Sequence, residues 1–156
     1  MTPVATAATL RAALLRGVVE AARAALDARA ASIALVDPRT GDLVFEAVAG
    51  GGGPELLGAH FRPDQGIAGQ VVQTGTPLFI DDLVREPRFA HDIAVETGYE
   101  PEALYAAPIS VGGVVVGVLS VLDPGAPPGG GAGSVLEALG THAAVALALS
   151  DSLGAD

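Results

Sequence analysis

Apolar positions recur along this chain with two different periods, and the switch between them marks its elements. From about Ala5 to Asp27, residues Leu10, Leu14, Leu15, Val18, Val19, Ala22, Ala25 and Leu26 fall on one half of a helix circumference, at roughly 3.6 residues per turn. Arg16, Glu20, Arg23 and Asp27 share the opposite side, at spacings that permit three ion pairs worth a few tenths of a kcal/mol each. A long amphipathic helix is predicted.

The period then shortens. SIALVD (Ser32–Asp37) and DLVFEAVA (Asp42–Ala49) are rich in Val, Ile, Leu and Phe and are separated by a Pro38–Gly41 turn, which predicts an antiparallel hairpin. Gly50–Gly53 reads as a loop, because four glycines cannot hold a regular element cheaply. Gly66–Thr74 is predicted as two turns of helix with Ile67, Val71 and Val72 inward and Gly75 at its stop, and Thr76–Ile80 as a short strand. Leu83–Thr97, of mixed polarity, reads as a broken helix that ends at Gly98.

Leu104–Val111 and Val114–Leu122 flank Gly112–Gly113 and predict a second hairpin, although Pro108 lacks the donor a ladder needs. After a Gly- and Pro-rich loop, Ser134 and Glu137 have the spacing of a capping box that would open a final helix. Val135, Leu136, Leu139, Ala143, Ala146, Leu147, Leu149 and Leu153 would line one face of that helix. Consecutive hairpins between helices argue for an α+β fold. Its antiparallel sheet would have five to six strands, with helices on its faces and the long terminal helices packed together.

Composition narrows the function. A chain of 156 residues fits a single domain spanning 1–156, divided into an N-terminal helix (1–29), a sheet and pocket region (30–133) and a C-terminal helix (134–156). The longest apolar runs, Ala143–Leu149 and Val114–Leu119, fall far short of the roughly 20 residues that cross a bilayer. The N-terminus lacks the pattern of a signal peptide, so a cytoplasmic location is expected. Eight Arg and no Lys against 18 acidic residues leave a net charge of −10, which disfavours nucleic acid and anionic membrane as partners. The absence of Cys removes disulfides, thiolate metal sites and cysteine nucleophiles. His60, His91 and His142 are too far apart in sequence to form a local metal motif. Ser110 and Ser120 lie in apolar strands, where their hydroxyls can bond backbone.

The stretch GIAGQVVQTGTPLFIDD, followed after a polar and aromatic middle by LYAAPISVGGVVVGVLSVLD, resembles the second half of a GAF domain. The likeness rests on Gly66, Ala68, Gly69, Gly75, Pro77, Asp81, Pro108, Ile109, Gly117 and Val118, and extends loosely over Leu26–Leu149. It implies a small-molecule ligand lying over one sheet face beneath Asp81–Pro101, and terminal helices that form a dimer interface or signalling rod. The ligand-contact candidates are then Phe79, Asp81, Asp82, Arg88, Phe89, His91, Asp92, Tyr99 and Tyr105, with Arg85 as a further cation. No metal or catalytic residue is assigned, and the cofactor is left open. As neighbours on a strand, Asp81 and Asp82 point to opposite faces and do not form a catalytic carboxylate pair.

The chain departs from several branches of that family. It has no Asn or Lys for the pattern of cyclic-nucleotide-binding members, and no Cys for bilin attachment or for the reductase chemistry of the fold's enzymes. The expectation is a non-enzymatic sensory or regulatory domain that binds a small molecule and signals through helix-mediated homodimerisation, either acting on a separate partner or forming part of a longer chain. One alternative is a ligand-free interaction module whose pocket is filled by its own Phe89, Tyr99 and Tyr105. Another is a haem sensor with His91 as axial ligand.

Overall fold

A computed structural model describes residues 6–51, 56–64, 66–87, 101–125 and 131–153. Six strands form one sheet: β1 (Ala30–Val36), β2 (Leu43–Gly50), β3 (His60–Phe61), β4 (Leu78–Ile80), β5 (Leu104–Val111) and β6 (Val114–Leu122). Their order is β3-β2-β1-β6-β5-β4, with every neighbouring pair antiparallel. Helices α1 (Ala7–Ala25) and α3 (Ala132–Leu153) pack on one face and on each other, while α2 (Gly66–Thr74) packs on β5 and β6 from the opposite side. The α+β architecture expected from the alternating periods is the one present.

Period-two alternation decides which side chains enter which core. Ala31, Ile33 and Leu35 of β1, Tyr105, Ala107 and Ile109 of β5, and Leu119 and Val121 of β6 meet Leu15, Val19, Leu136 and Leu147 of the terminal helices. Each fully buried Leu or Ile there stabilises the fold by about 1.5–3 kcal/mol relative to exposure. The smaller second core joins Ile67 and Val71 of α2 to Leu83, Leu104, Ala106 and Val118.

Several boundaries differ from expectation for identifiable reasons. Helix α1 starts after Thr6, whose hydroxyl accepts from Thr9 N–H at 3.1 Å, and ends before Asp27, which turns the chain with φ +49°. None of the three ion pairs permitted on α1 forms among the described residues; Arg23 Nε instead donates to the Arg29 carbonyl at 3.3 Å. Ser134 does not open α3. The helix begins at Ala132, placing Ser134 in its first turn, because small Gly133 lets the helix end approach the Phe79 ring. A Cβ at residue 133 would lie 3.0 Å from Phe79 Cζ. Val135, Leu149 and Leu153, expected on the buried face, are exposed, and the face is completed by Gly140, Ala144 and Ser150 instead.

Strand β3 carries no pattern long enough to read. It is an edge strand held to β2 by Leu43–Phe61 and Val44–His60 pairing, with the Phe45 and Phe61 rings 5.3 Å apart. Pro108 sits inside β5 opposite Val118, and β4 pairs only with Leu104–Ala106, so β4 makes no demand on the donor Pro108 lacks. The second hairpin turns at Gly112 and Gly113, both with positive φ (+59° and +83°), a conformation other residues adopt at a cost. Of the expected broken helix, a 3-10 turn at Leu83–Arg85 is present, and the stretch from 88 to 100 lies outside the described residues. Helix α3 is long and apolar enough to cross a membrane by length and composition, but here Leu136, Ala143, Ala144 and Leu147 belong to the core shared with α1 and β5.

Candidate functional site

On the sheet face away from the terminal helices, the alternate strand positions form rows. Val48, Ser32, Ser120, Ala106 and Leu78 stand directly opposite one another across β2, β1, β6, β5 and β4. The row beside it runs Ala30, Leu122, Leu104, Ile80, and on the other side Phe45, Ala34, Val118 and Pro108 are aligned. Directly opposed side chains in an antiparallel sheet share a face, with Cβ atoms about 4.5–5.5 Å apart. Helix α2 covers the β4–β5–β6 end through Ile67 and Val71, while Ser32, Val48 and Ser120 at the centre remain half-buried.

This face is uncharged. Glu46 is the only Asp, Glu or Arg in the six strands, and a β-bulge turns it the other way. Ile33 pairs with Ala47 and Ala34 with Phe45, so Glu46 is the extra residue; its carboxylate reaches Arg11 of α1 at 3.3 and 3.4 Å. The centre of the floor therefore offers two hydroxyls in an apolar setting. Neither serine makes a side-chain hydrogen bond among the described residues.

The residues singled out from the sequence divide into three groups. Phe79, Asp81 and Tyr105 are brought together, but on the helix side of β4 and β5. The Phe79 and Tyr105 rings meet edge to face, 5.4 Å apart at 80°, and the buried Tyr105 ring belongs to the terminal-helix core. The Tyr105 hydroxyl donates to Asp81 Oδ1 at 3.0 Å. Burial, reinforced by the hydrogen bond to Asp81 and its negative charge, pushes the Tyr105 phenol up to about 12. Tyr105 thus faces α3, where it cannot fill a cavity on the opposite face. Asp82 is exposed and pairs with Arg85 at 3.7 Å. Arg88, Phe89, His91, Asp92 and Tyr99 lie outside the described residues.

What surrounds that stretch is well tied. Leu83 N–H donates to the Glu102 carbonyl at 3.0 Å, and Asp123 Oδ1 accepts from Glu102 N–H at 2.7 Å and Ala103 N–H at 3.0 Å. Asp123 reaches both amides from a left-handed backbone, φ +51°. Its position closing the VLD run was visible in the sequence; its bonding was not. The serines were missed for a different reason. The apolar strand context assigns Ser120 to backbone bonding and Ser32 to a strand start, whereas the telling signal is that each interrupts an apolar alternation at a position the register makes adjacent.

A separate cavity of about 250 Å³, lined by Ala7, Ala8, Arg11, Ser150 and Asp151, lies where the start of α1 meets the end of α3, so the two helices run antiparallel. Among the described residues no cluster of three His or acidic groups could hold a metal ion. His60 stands 4.0 Å from Asp42 at the sheet edge, and His142 is exposed on α3.

Comparison with known proteins agrees with this architecture. A family model described as GAF domain matches residues 8–148. The chain is 31% identical over 123 residues to a probable 3',5'-cyclic phosphodiesterase, pde-5, of Caenorhabditis elegans, covering 71% of this chain and 16% of that protein. It is 33% identical over 84 residues to a Nif-specific regulatory protein of Azospirillum lipoferum, covering 51% of this chain and 14% of that protein. Among solved structures, the GAF domain of a phosphoenolpyruvate-protein phosphotransferase from Coxiella burnetii superimposes with a TM-score of 0.82 at 25% identity, over 94% of this chain and 87% of that one. The chain thus spans a small part of the curated relatives it matches.

Proposed function

Because the chain belongs to the GAF domain family, found in sensory and regulatory proteins, we propose that it is a non-catalytic sensor: one sheet face binds a small molecule and the other carries the signal through a helix-mediated homodimer. The observation that carries this reading is the division of labour between the two faces. One presents an uncharged, half-buried floor around Ser32 and Ser120; the other is covered by α1 and α3. A mostly apolar lining with a few polar groups is what a small-molecule site requires.

The outer surface of the helix pair supports the dimer. Leu10, Leu14, Gly17, Ala21 and Ala24 of α1 are all exposed and follow a four-three spacing. Val135, Ala138, His142, Val145 and Leu149 of α3 are exposed with the complementary three-four spacing. That spacing keeps an apolar seam facing a partner helix, and two antiparallel helices with such seams can form a four-helix bundle with a second copy. Val145 and Leu149 are 52% and 57% exposed in the single chain, a cost the partner copy would remove.

Native mass spectrometry of the purified chain, followed by a thermal-shift screen against metabolites, tests both halves. A dimer mass, with a bound small molecule lost on denaturation or a specific stabilising compound, is expected. A ligand-free dimer stabilised by no compound would favour the interaction-module alternative, and a monomer would remove the proposed output. A Soret band on the same sample would direct attention to haem at His91.

A further inference from the structure

We propose that the floor takes a small, flat, uncharged molecule bearing at least one amide, carbonyl or ring-nitrogen group, and that Ser32 and Ser120 determine its specificity. This rests on the reading of that face as the ligand site, and it concerns which chemistry the site accepts. Three features carry it.

The first is shape. At the centre of the floor the half-buried side chains include the small Ser32 on β1 and Ser120 on β6, while Ala34 and Ala106 beside them are buried. Val48 and Leu122 stand beside them as larger residues. A planar group can approach the backbone more closely over the two serines than over the larger residues.

The second is charge. Glu46 is the only Asp, Glu or Arg in the strands, and it is turned to Arg11 on the helix side, so among the described residues the strands of the floor offer no ionised partner for a charged group. An anion or cation laid there would lose hydration without compensation. The part of the ligand that touches the floor is therefore uncharged.

The third is the pair of hydroxyls. Ser32 and Ser120 are cross-strand neighbours, half-buried, and without a side-chain hydrogen bond among the described residues. Serine is a poor choice for the middle of a sheet on packing grounds. Each hydroxyl can donate and accept, so the pair serves an amide edge as well as a carbonyl beside a ring nitrogen. A purely apolar molecule of the same shape would leave both hydroxyls unpaired and be rejected, the basis on which sites built to hydrogen-bond discriminate most strongly.

Nicotinamide and uracil, against their anionic counterparts nicotinate and orotate, form the test. The full chain, labelled with ¹⁵N, is titrated with each compound at millimolar concentration, and amide shifts on β1 and β6 are followed. The neutral compounds should shift the amides around Ser32 and Ser120, with the anions at least about tenfold weaker, and Ser32→Ala/Ser120→Ala should weaken the neutral compounds about tenfold or more. The double variant should melt no lower than the parent without ligand, since alanine leaves no hydroxyl to satisfy, so lost binding is separable from lost fold. Anions that bind the floor as well as the neutral compounds, or neutral binding unchanged in the double variant, would overturn the proposed chemistry and leave the ligand face intact. Absence of any shift on β1 and β6 with all four compounds would overturn both.

Discussion

The two faces of the sheet are built from the same strands, yet they are packed differently. Toward α1 and α3 the strands send Ile33, Leu35, Tyr105, Ile109 and Leu119, all fully or nearly fully buried. Toward the other side, at the centre, they send Ser32, Val48 and Ser120, which stay half-buried. One face has been filled to the density of a protein interior, where lost volume is expensive. The other is buried under α2 at one end and keeps surface and hydroxyls free at its centre, as the proposed ligand site would require. The larger core lies on the helix side; on the proposed reading, recognition belongs to the half-buried centre of the floor.

The strongest challenge to that contrast is a pair of truncations. Leu119→Ala removes a fully buried side chain between the sheet and the terminal helices and should cost about 3 kcal/mol by urea unfolding. Val48→Ala, on the floor, should cost less than about 1 kcal/mol, because its site is already half-open. Equal costs would mean that the floor is as tightly packed as the helix face.

Leu149→Glu tests the outward side of the helix layer. The residue is 57% exposed in the single chain, so the charge should leave the fold unharmed while raising the dimer dissociation constant by about 100-fold, read by sedimentation equilibrium. A dimer of unchanged strength would place the contact elsewhere.

The smaller effects concern the helix side of β4 and β5. Tyr105→Phe should lower stability by about 1 kcal/mol at neutral pH, through loss of the bond to Asp81. The Tyr105 phenol titrates near its ordinary value in the unfolded chain and at about 12 in the folded one. The unfolded state therefore loses its proton first as pH rises. The stabilisation is fully present below about pH 10 and fades between about 10 and 12. Subtracting the Tyr105→Phe profile from the parent's, by chemical denaturation across that range, should show a fall that starts near pH 10. A flat difference would mean that the hydroxyl is not held as the structure places it.

Much of the fold was legible because local patterns and local chemistry agreed. The Gly66–Thr74 helix and both strands around Gly112–Gly113 fall where the sequence predicts them, since glycine punctuation and apolar runs are short-range signals. The start of α3 was misplaced because the local capping signal at Ser134 lost to a tertiary one, the space that Gly133 leaves for Phe79. The exposed positions of Val135, Leu149 and Leu153 were misread because an apolar helix all round does not say which stripe meets the sheet. The candidate site was the least legible part. Phe79 and Tyr105 look like pocket aromatics in the sequence, and only the parity of β4 and β5 sends them to the helix side.

By itself the sequence determined the kind of fold, the order of its elements and the chemistries closed to a chain without Cys, because periodicity, turn residues and composition are properties of neighbours along the chain. Tertiary structure alone decided that Ser32 meets Ser120, that a bulge turns Glu46 to Arg11, and that Tyr105 reaches Asp81. The physical reason is register. One residue of slip in a strand exchanges its two faces, and register is fixed by packing between segments that lie far apart in the sequence.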